Sequence, residues 1–301
     1  MMIHEECNAA ISVMLEDYYG VSSVEELKNT YCVIEDLSGQ PILWRMIGVM
    51  NNVDDGTGKK ESRIKIIRDE SIGVYSWDMN SDVSYDNDWT TSTLAELLNS
   101  GAYYNRTTGI YYNGAGPDVV SLDFTSTGLT SEAKSMIGDA VWNLGETRSW
   151  YLLSSEFYDA ERSNQQYEAI RPTVWTGRIG LMYPSDYGYA TSGGSNLNRN
   201  ECLNIGIYYW HHNSSSNYPD CYNNDWLYKN SNGQWSISPI DEHNVFLFNE
   251  NGAFAPYVFA YYDVFPSAFL NSSVKIVDGD GTRENPFVLS GNYQGSPIIC
   301  D

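Results

Sequence analysis

Two stretches near the start of the chain set the pattern. Ile42-Leu-Trp-Arg-Met-Ile-Gly-Val49 is an apolar run broken by one cation, and Arg63-Ile-Lys-Ile-Ile-Arg68 alternates apolar with basic. A period of two is that of a half-buried strand. The turn-rich stretch 51–58 between them predicts a hairpin, with Lys59, Lys60, Arg63, Lys65 and Arg68 as its solvated face. Residues 72–77 read as a third strand. Thr93-Leu-Ala-Glu96 is a capping box opening a helix through Leu98, with Gly101 as its stop. Thr130 predicts a cap for a helix running through Trp142. A short helix is expected over 157–168, a strand over 173–182 and a Gly- and Ser-rich loop over 187–196. Further strands are expected over 245–248, 254–262, 264–269 and 274–277.

The N-terminus has a different period. Ile11, Met14, Leu15 and Tyr18 stand at helical spacing before Gly20, and Ser23-Val-Glu-Glu26 opens a second short helix through Leu27. No repeat or long linker divides the remainder of the chain. The expected organisation is a helical N-terminal extension over 1–38 and a single α+β domain over 39–301. Its expected core includes Trp44, Ile47, Ile64, Ile66, Trp89, Leu94, Leu97, Ile137, Val141, Leu181, Trp226 and Leu227.

Composition narrows the function classes. The chain has 301 residues, 42% of them apolar, so it can bury a large core. Acidic residues number 39 against 17 basic ones, a net charge of −22 that repels nucleic acid and anionic lipid. No apolar run is long enough to insert into a membrane, and Met1 to Asn8 shows no signal-peptide pattern. With 24 Tyr, 9 Trp and 9 Phe among many Asn, Ser and Gly, the vocabulary is that of extracellular β-rich binding surfaces.

Chemistry-bearing motifs are few. Of the five cysteines, Cys202 and Cys221 flank a polar loop, and a disulfide closing it is expected to stabilise by about 3 kcal/mol; the pairing of Cys7, Cys32 and Cys300 stays open. His211 and His212 are adjacent and would point to opposite faces of an extended segment. With His4 and His243 they predict no metal site. Asp278-Gly-Asp-Gly-Thr282 begins like a calcium loop but lacks the later ligands, so a tight turn is expected there. Nothing calls for a cofactor.

Several longer stretches carry a resemblance: Leu43-Trp-Arg-Met-Ile-Gly-Val49, Arg68-Asp-Glu-Ser-Ile72, Asn87-Asp-Trp-Thr-Thr-Ser-Thr-Leu94, Ala133-Lys-Ser-Met-Ile137 and Ile179-Gly-Leu-Met-Tyr-Pro-Ser-Asp-Tyr-Gly-Tyr-Ala-Thr191. They continue with Cys221-Tyr-Asn-Asn-Asp-Trp-Leu-Tyr228, Trp235-Ser-Ile-Ser-Pro239, Val274-Lys-Ile-Val-Asp-Gly-Asp-Gly-Thr282 and Asn285-Pro-Phe-Val-Leu289. In this order they resemble a family of bacterial surface and prophage-borne proteins. The resemblance implies a C-type-lectin-type fold related to that of formylglycine-generating enzymes. Relatives tend to carry a Gly-Val-Arg-Pro-x-x-Tyr-Leu strand where this chain has Asp263-Val-Phe-Pro-Ser-Ala-Phe-Leu270. In some C-type-lectin-type proteins, diversity-generating retroelements rewrite such a C-terminal segment into a variable binding face.

The expectation is therefore a non-enzymatic ligand-binding or adhesion module at a bacterial surface or on a phage particle. Its partner would be a protein or a carbohydrate. Ligand contact is expected at Ala253, Ala255, Tyr257, Phe259, Tyr261, Tyr262 and Phe265, where large rings alternate with small residues. Two alternatives stand beside it: an enzyme on the formylglycine-generating scaffold, which needs a reactive cysteine pair at a groove, and a purely structural surface domain.

Overall fold

The computed structural model describes residues 27–37, 40–79, 86–113, 118–167, 170–210, 218–228, 232–249 and 252–290. The described residues open with strands β1 (Tyr31–Leu37), β2 (Gln40–Asp54), β3 (Lys60–Arg68) and β4 (Val74–Ser76). Helices α1 (Thr93–Asn99) and α2 (Ala102–Asn105), hairpin β5 (Thr108–Asn113) and β6 (Asp118–Asp123), and α3 (Ser131–Met136) come next. The middle holds β7 (Ala140–Asn143), α4 (Ser154–Glu161), β8 (Val174–Gly177), β9 (Ile179–Gly180), α5 (Pro184–Ala190), α6 (Arg199–Leu203) and α7 (Pro219–Asn223). Last come β10 (Gln234–Pro239), β11 (Val245–Asn249), β12 (Gly252–Phe254), β13 (Tyr261–Asp263), β14 (Ser267–Phe269), β15 (Lys275–Asp278) and β16 (Phe287–Ser290). The fold is mixed α+β, mostly sheet with short helices.

Among the described residues the strands form a seven-stranded sheet, ordered β15-β16-β1-β2-β3-β14-β9, and a five-stranded sheet, ordered β12-β11-β10-β13-β4. Hairpins β5-β6 and β7-β8 stand apart. The expected β2–β3 hairpin is present, with Trp44 opposite Arg68 and Met46 opposite Ile66. Strand β1 runs antiparallel to β2 and parallel to β16. The expected helical lead-in over 1–38 therefore gives way, at Tyr31–Leu37, to a strand in the interior of the larger sheet. The helices expected before residue 27 lie outside the described residues.

Alternation along the strands feeds two cores. Trp44, Met46, Ile64 and Ile66 join a first core with Trp77, Trp89, Trp142 and Trp235. Their neighbours Ile47 and Ile67 join a second core with Phe157, Tyr187, Trp210, Phe246 and Phe248. Strand β11 splits the same way, Val245 and Leu247 to the first core and Phe246 and Phe248 to the second. Both faces of these strands are thus covered, as in sheets packed on two sides. That corrects the expected basic face: only Lys59 and Lys60 are exposed, whereas Arg63, Lys65 and Arg68 are buried. Arg63 pairs with Glu61 at 3.2 Å and donates to the Asp139 carbonyl at 2.6 Å. Arg68 donates to the Thr127 carbonyl at 3.2 Å.

Several element boundaries differ from expectation, among them the strand expected over 254–262, which is strand only at Phe254 and from Tyr261 on. Ser92, not Thr93, caps α1: its Oγ accepts from the Ala95 N–H, while the Thr93 N–H donates to Asp78. Thr130 does cap α3, but that helix ends at Met136. Ala140, Val141, Trp142 and Asn143 alternate buried and half-buried in β7, opposite Gly177, Thr176, Trp175 and Val174. The helix expected over 157–168 starts three residues earlier and stops at Glu161. The loop expected over 187–196 is helical through Ala190, because Pro184 opens α5 and the Tyr187 ring stacks on Phe248 at 4.1 Å. Ten of the twelve expected core residues are buried; Val141 and Trp226 are half-buried.

Candidate functional site: a charged cleft

Lys65 is the centre of the site. It lies on β3 opposite Gly48, and its side chain leaves the sheet on the face shared with Ile67. Helix α5 covers that face, so only 1% of the side chain meets solvent. Nζ donates to Asp186 Oδ2 at 2.5 Å and lies 4.1 Å from the ring centre of Tyr183, 5.1 Å from Trp142 and 5.4 Å from Phe269. Burial pushes the ammonium pKa down, and the Asp186 charge pushes it back up. Asp186 stands in the first turn of α5, where the same Oδ2 accepts the Tyr183 N–H at 2.8 Å. The Tyr183 hydroxyl accepts the Asn143 N–H at 2.8 Å, which holds the ring against β7.

A second charged pair stands beside the first. Glu161 closes α4 and is fully buried. Its Oε1 accepts the Ser185 N–H at 2.9 Å; its Oε2 accepts the Ser185 hydroxyl at 2.5 Å and Arg162 Nη1 at 2.9 Å. Burial pushes the Glu161 carboxyl up to about 7, against the opposing pull of Arg162 and Ser185. The Arg162 guanidinium lies 3.6 Å from the ring centre of Tyr158 and 5.2 Å from that of Tyr183.

These groups form the wall and floor of an open cavity of about 610 Å³. Residues 49–54 of β2 form one side, together with Lys60. Tyr158 and Arg162 at the end of α4 line it with Tyr183, Asp186, Asn143 and Phe269. An adjoining lobe of about 210 Å³ shares Val49, Met50, Tyr158, Arg162 and Asp186 and adds Lys28, Gly48, Tyr189 and Trp226. The volume falls within the range of small-molecule sites. Its lining mixes amides, ionised groups and ring faces, which suits a polar, hydroxyl-rich partner.

The residues expected to contact ligand lie elsewhere, and none of the seven lines either lobe. Tyr257 and Tyr261 are exposed, while Phe259 and Tyr262 are half-buried. The Tyr257 and Phe259 rings stack at 5.3 Å, and Tyr262 meets Trp235 edge-on at 5.3 Å. Ala253, Ala255 and Phe265 are buried and pack in the second core. Phe265 therefore fills core space.

Cys202 and Cys221 form the expected disulfide and are both fully buried. Cys32 is a free, buried thiol, and burial pushes its pKa well up. Cys7, Cys300, His4, His211 and His212 lie outside the described residues. Among the described residues no three His, Cys, Asp or Glu side chains are placed to hold a metal ion. No helix there is long and apolar enough to cross a membrane. At Asp278–Thr282 the expected tight turn is present, with Asp280 Oδ1 accepting the Thr282 N–H and hydroxyl.

Comparison with models of known families, with curated proteins and with solved structures finds no match. The site thus rests on its own geometry. Both of its halves stand in the sequence, Arg63-Ile-Lys-Ile-Ile-Arg68 and Tyr183-Pro-Ser-Asp186, with nothing local to join them. The available signal is a lysine inside an apolar run, whose burial calls for a carboxylate from elsewhere in the chain.

Proposed function

We propose that the protein is a non-enzymatic ligand-binding module, and that the cleft over Lys65 and Asp186 receives the ligand. The observation that carries this reading is an open polar cavity whose charged floor is already partnered. The Lys65–Asp186 and Arg162–Glu161 pairs are set before any ligand arrives, so little ordering cost falls on binding. On the resemblance to bacterial surface and prophage-borne proteins, the scaffold is C-type-lectin-type and the setting a bacterial surface or phage particle. The buried disulfide suits an oxidising setting. Enzyme chemistry of the formylglycine-generating kind finds little support. It needs thiols at a groove, whereas among the described residues Cys202 and Cys221 are joined and buried and the Cys32 thiol is sealed in the first core.

A second contact surface is favoured by the exposed Tyr257 stacked on Phe259, with the exposed Tyr261 two residues on. One experiment separates the two. Binding to an immobilised glycan panel is measured for the native chain, Tyr158→Ala and Tyr257→Ser. Loss in Tyr158→Ala, with the melting temperature kept, supports the cleft. Loss only in Tyr257→Ser moves the site to the C-terminal segment.

A further inference from the structure

We propose that the cleft selects a saccharide bearing a carboxylate, and that Arg162 is the group that grips it. The proposal rests on the cleft being the binding site and adds the class of ligand.

Arg162 carries the argument. Its Nη1 is committed to Glu161 Oε2 and to the Tyr158 carbonyl. Its Nε and Nη2 donate to nothing among the described residues, and 28% of the side chain reaches solvent, where it lines both lobes. The guanidinium is held over the Tyr158 ring and by the two Nη1 bonds, which leaves Nε and Nη2 as a planar fork on its other edge. Such a fork matches the two oxygens of a carboxylate.

Charge around the cleft points the same way. The Lys65–Asp186 pair cancels on the floor. Glu161 sits behind Arg162, fully out of solvent, and protonates near neutrality, so it only partly offsets the guanidinium. At the mouth stand the exposed Lys60 and the half-buried Asp54, whose Oδ1 is already occupied by the Gly56 and Gly58 N–H groups. In a chain with 39 acidic and 17 basic residues, a cleft that is neutral to positive is a local reversal. Like charge elsewhere on the surface would turn an anion away, and this cavity is where one can settle.

The remaining lining suits a sugar ring. Asn52 and Asn143 each offer a donor and an acceptor, and hydroxyl groups use both. Tyr158 offers a phenol edge and Phe269 a ring at the base.

Glu161 then couples binding to pH. It faces Arg162 at the end of α4, Ser185 and Asp186 on α5, Tyr183 before α5, and the Lys65 charge on β3. An incoming carboxylate at Arg162 favours the neutral Glu161, so affinity falls as pH rises through about 7.

The test is calorimetric titration of the full chain with hexuronic and sialic acids, each beside a neutral sugar of the same ring. The expected result is at least about tenfold tighter binding of the acidic member. That preference is lost in Arg162→Gln, partly kept in Arg162→Lys, and weaker at pH 8 than at pH 6. Equal affinity for acidic and neutral sugars overturns the carboxylate class while leaving the cleft in place. Acid-selective binding that Tyr158→Ala and Arg162→Gln leave untouched overturns the cleft itself. No binding of any acidic sugar by a chain with native circular dichroism overturns the proposal.

Discussion

Glu161 shows how one side chain can tie stability to proton concentration. Its carboxyl is fully buried and titrates near 7 in the folded chain, against 4.5 for the ordinary group. Because the folded pKa is raised, the native state binds more protons than the unfolded one between those values. Stability therefore falls as pH rises from about 4.5 to about 7, then levels off. Asp78, pushed up to about 6 by burial, acts in the same direction over a narrower window. We expect the melting temperature to drop between pH 5 and pH 8. In Glu161→Gln, which keeps the shape and an acceptor for Ser185, the drop should shrink, and what remains belongs to Asp78 and to Asp225, whose carboxyl burial also pushes well up. Differential scanning calorimetry across the range checks this; an unchanged drop in the variant would assign the effect to other groups.

At the scale of elements, the Lys65–Asp186 contact joins β3 to α5, residues 121 apart in sequence. Removing one partner strands a buried charge, whereas removing both leaves apolar space the aromatic cage can fill. Asp186→Ala should cost about 3–5 kcal/mol in denaturant unfolding. The double replacement Lys65→Met with Asp186→Leu should cost less than the two single changes together. Additive costs in that cycle would mean the pair is not coupled. The same contact marks how far the sequence can be read. The β2–β3 hairpin is legible because alternation is local. That the second face of β3 is also covered is not, since α5 arrives from far along the chain to bury Lys65 against Asp186, while Arg63 and Arg68 are covered by Asp139 and Thr127 from other distant segments. Strand β7 is hidden in a different way: Thr130 is a true cap, and the local stop at Gly138, just past the Ile137 C-cap, is overrun when Ala140, Val141 and Trp142 are read on at the helical period. Strand β1 is masked by an acidic stretch that continues a helical period. The disulfide is legible because both cysteines flank one short polar segment.

For the whole molecule, the covalent tie between Cys202 and Cys221 holds α6 to α7 inside the second core. The bridge spans 19 residues and is expected to contribute about 3 kcal/mol through the unfolded chain. Cys202→Ser with Cys221→Ser should lower stability by about that amount, seen as a lower denaturant midpoint with a steeper slope, because the released unfolded chain exposes more surface. An unchanged midpoint would mean that the closed loop adds nothing to the fold.

Strand β1 holds a further consequence through its parallel pairing with β16, Cys32 opposite Phe287 and Val33 opposite Val288. The two strands point the same way, so a tether drawing back on the start of β1 and another drawing forward on the end of β16 slide them along each other. Their hydrogen bonds lie across that direction and are loaded together, not opened one by one as in a peeled hairpin. Forced unfolding is governed by the barrier crossed under load. The chain is thus built to resist tension applied between these two strands.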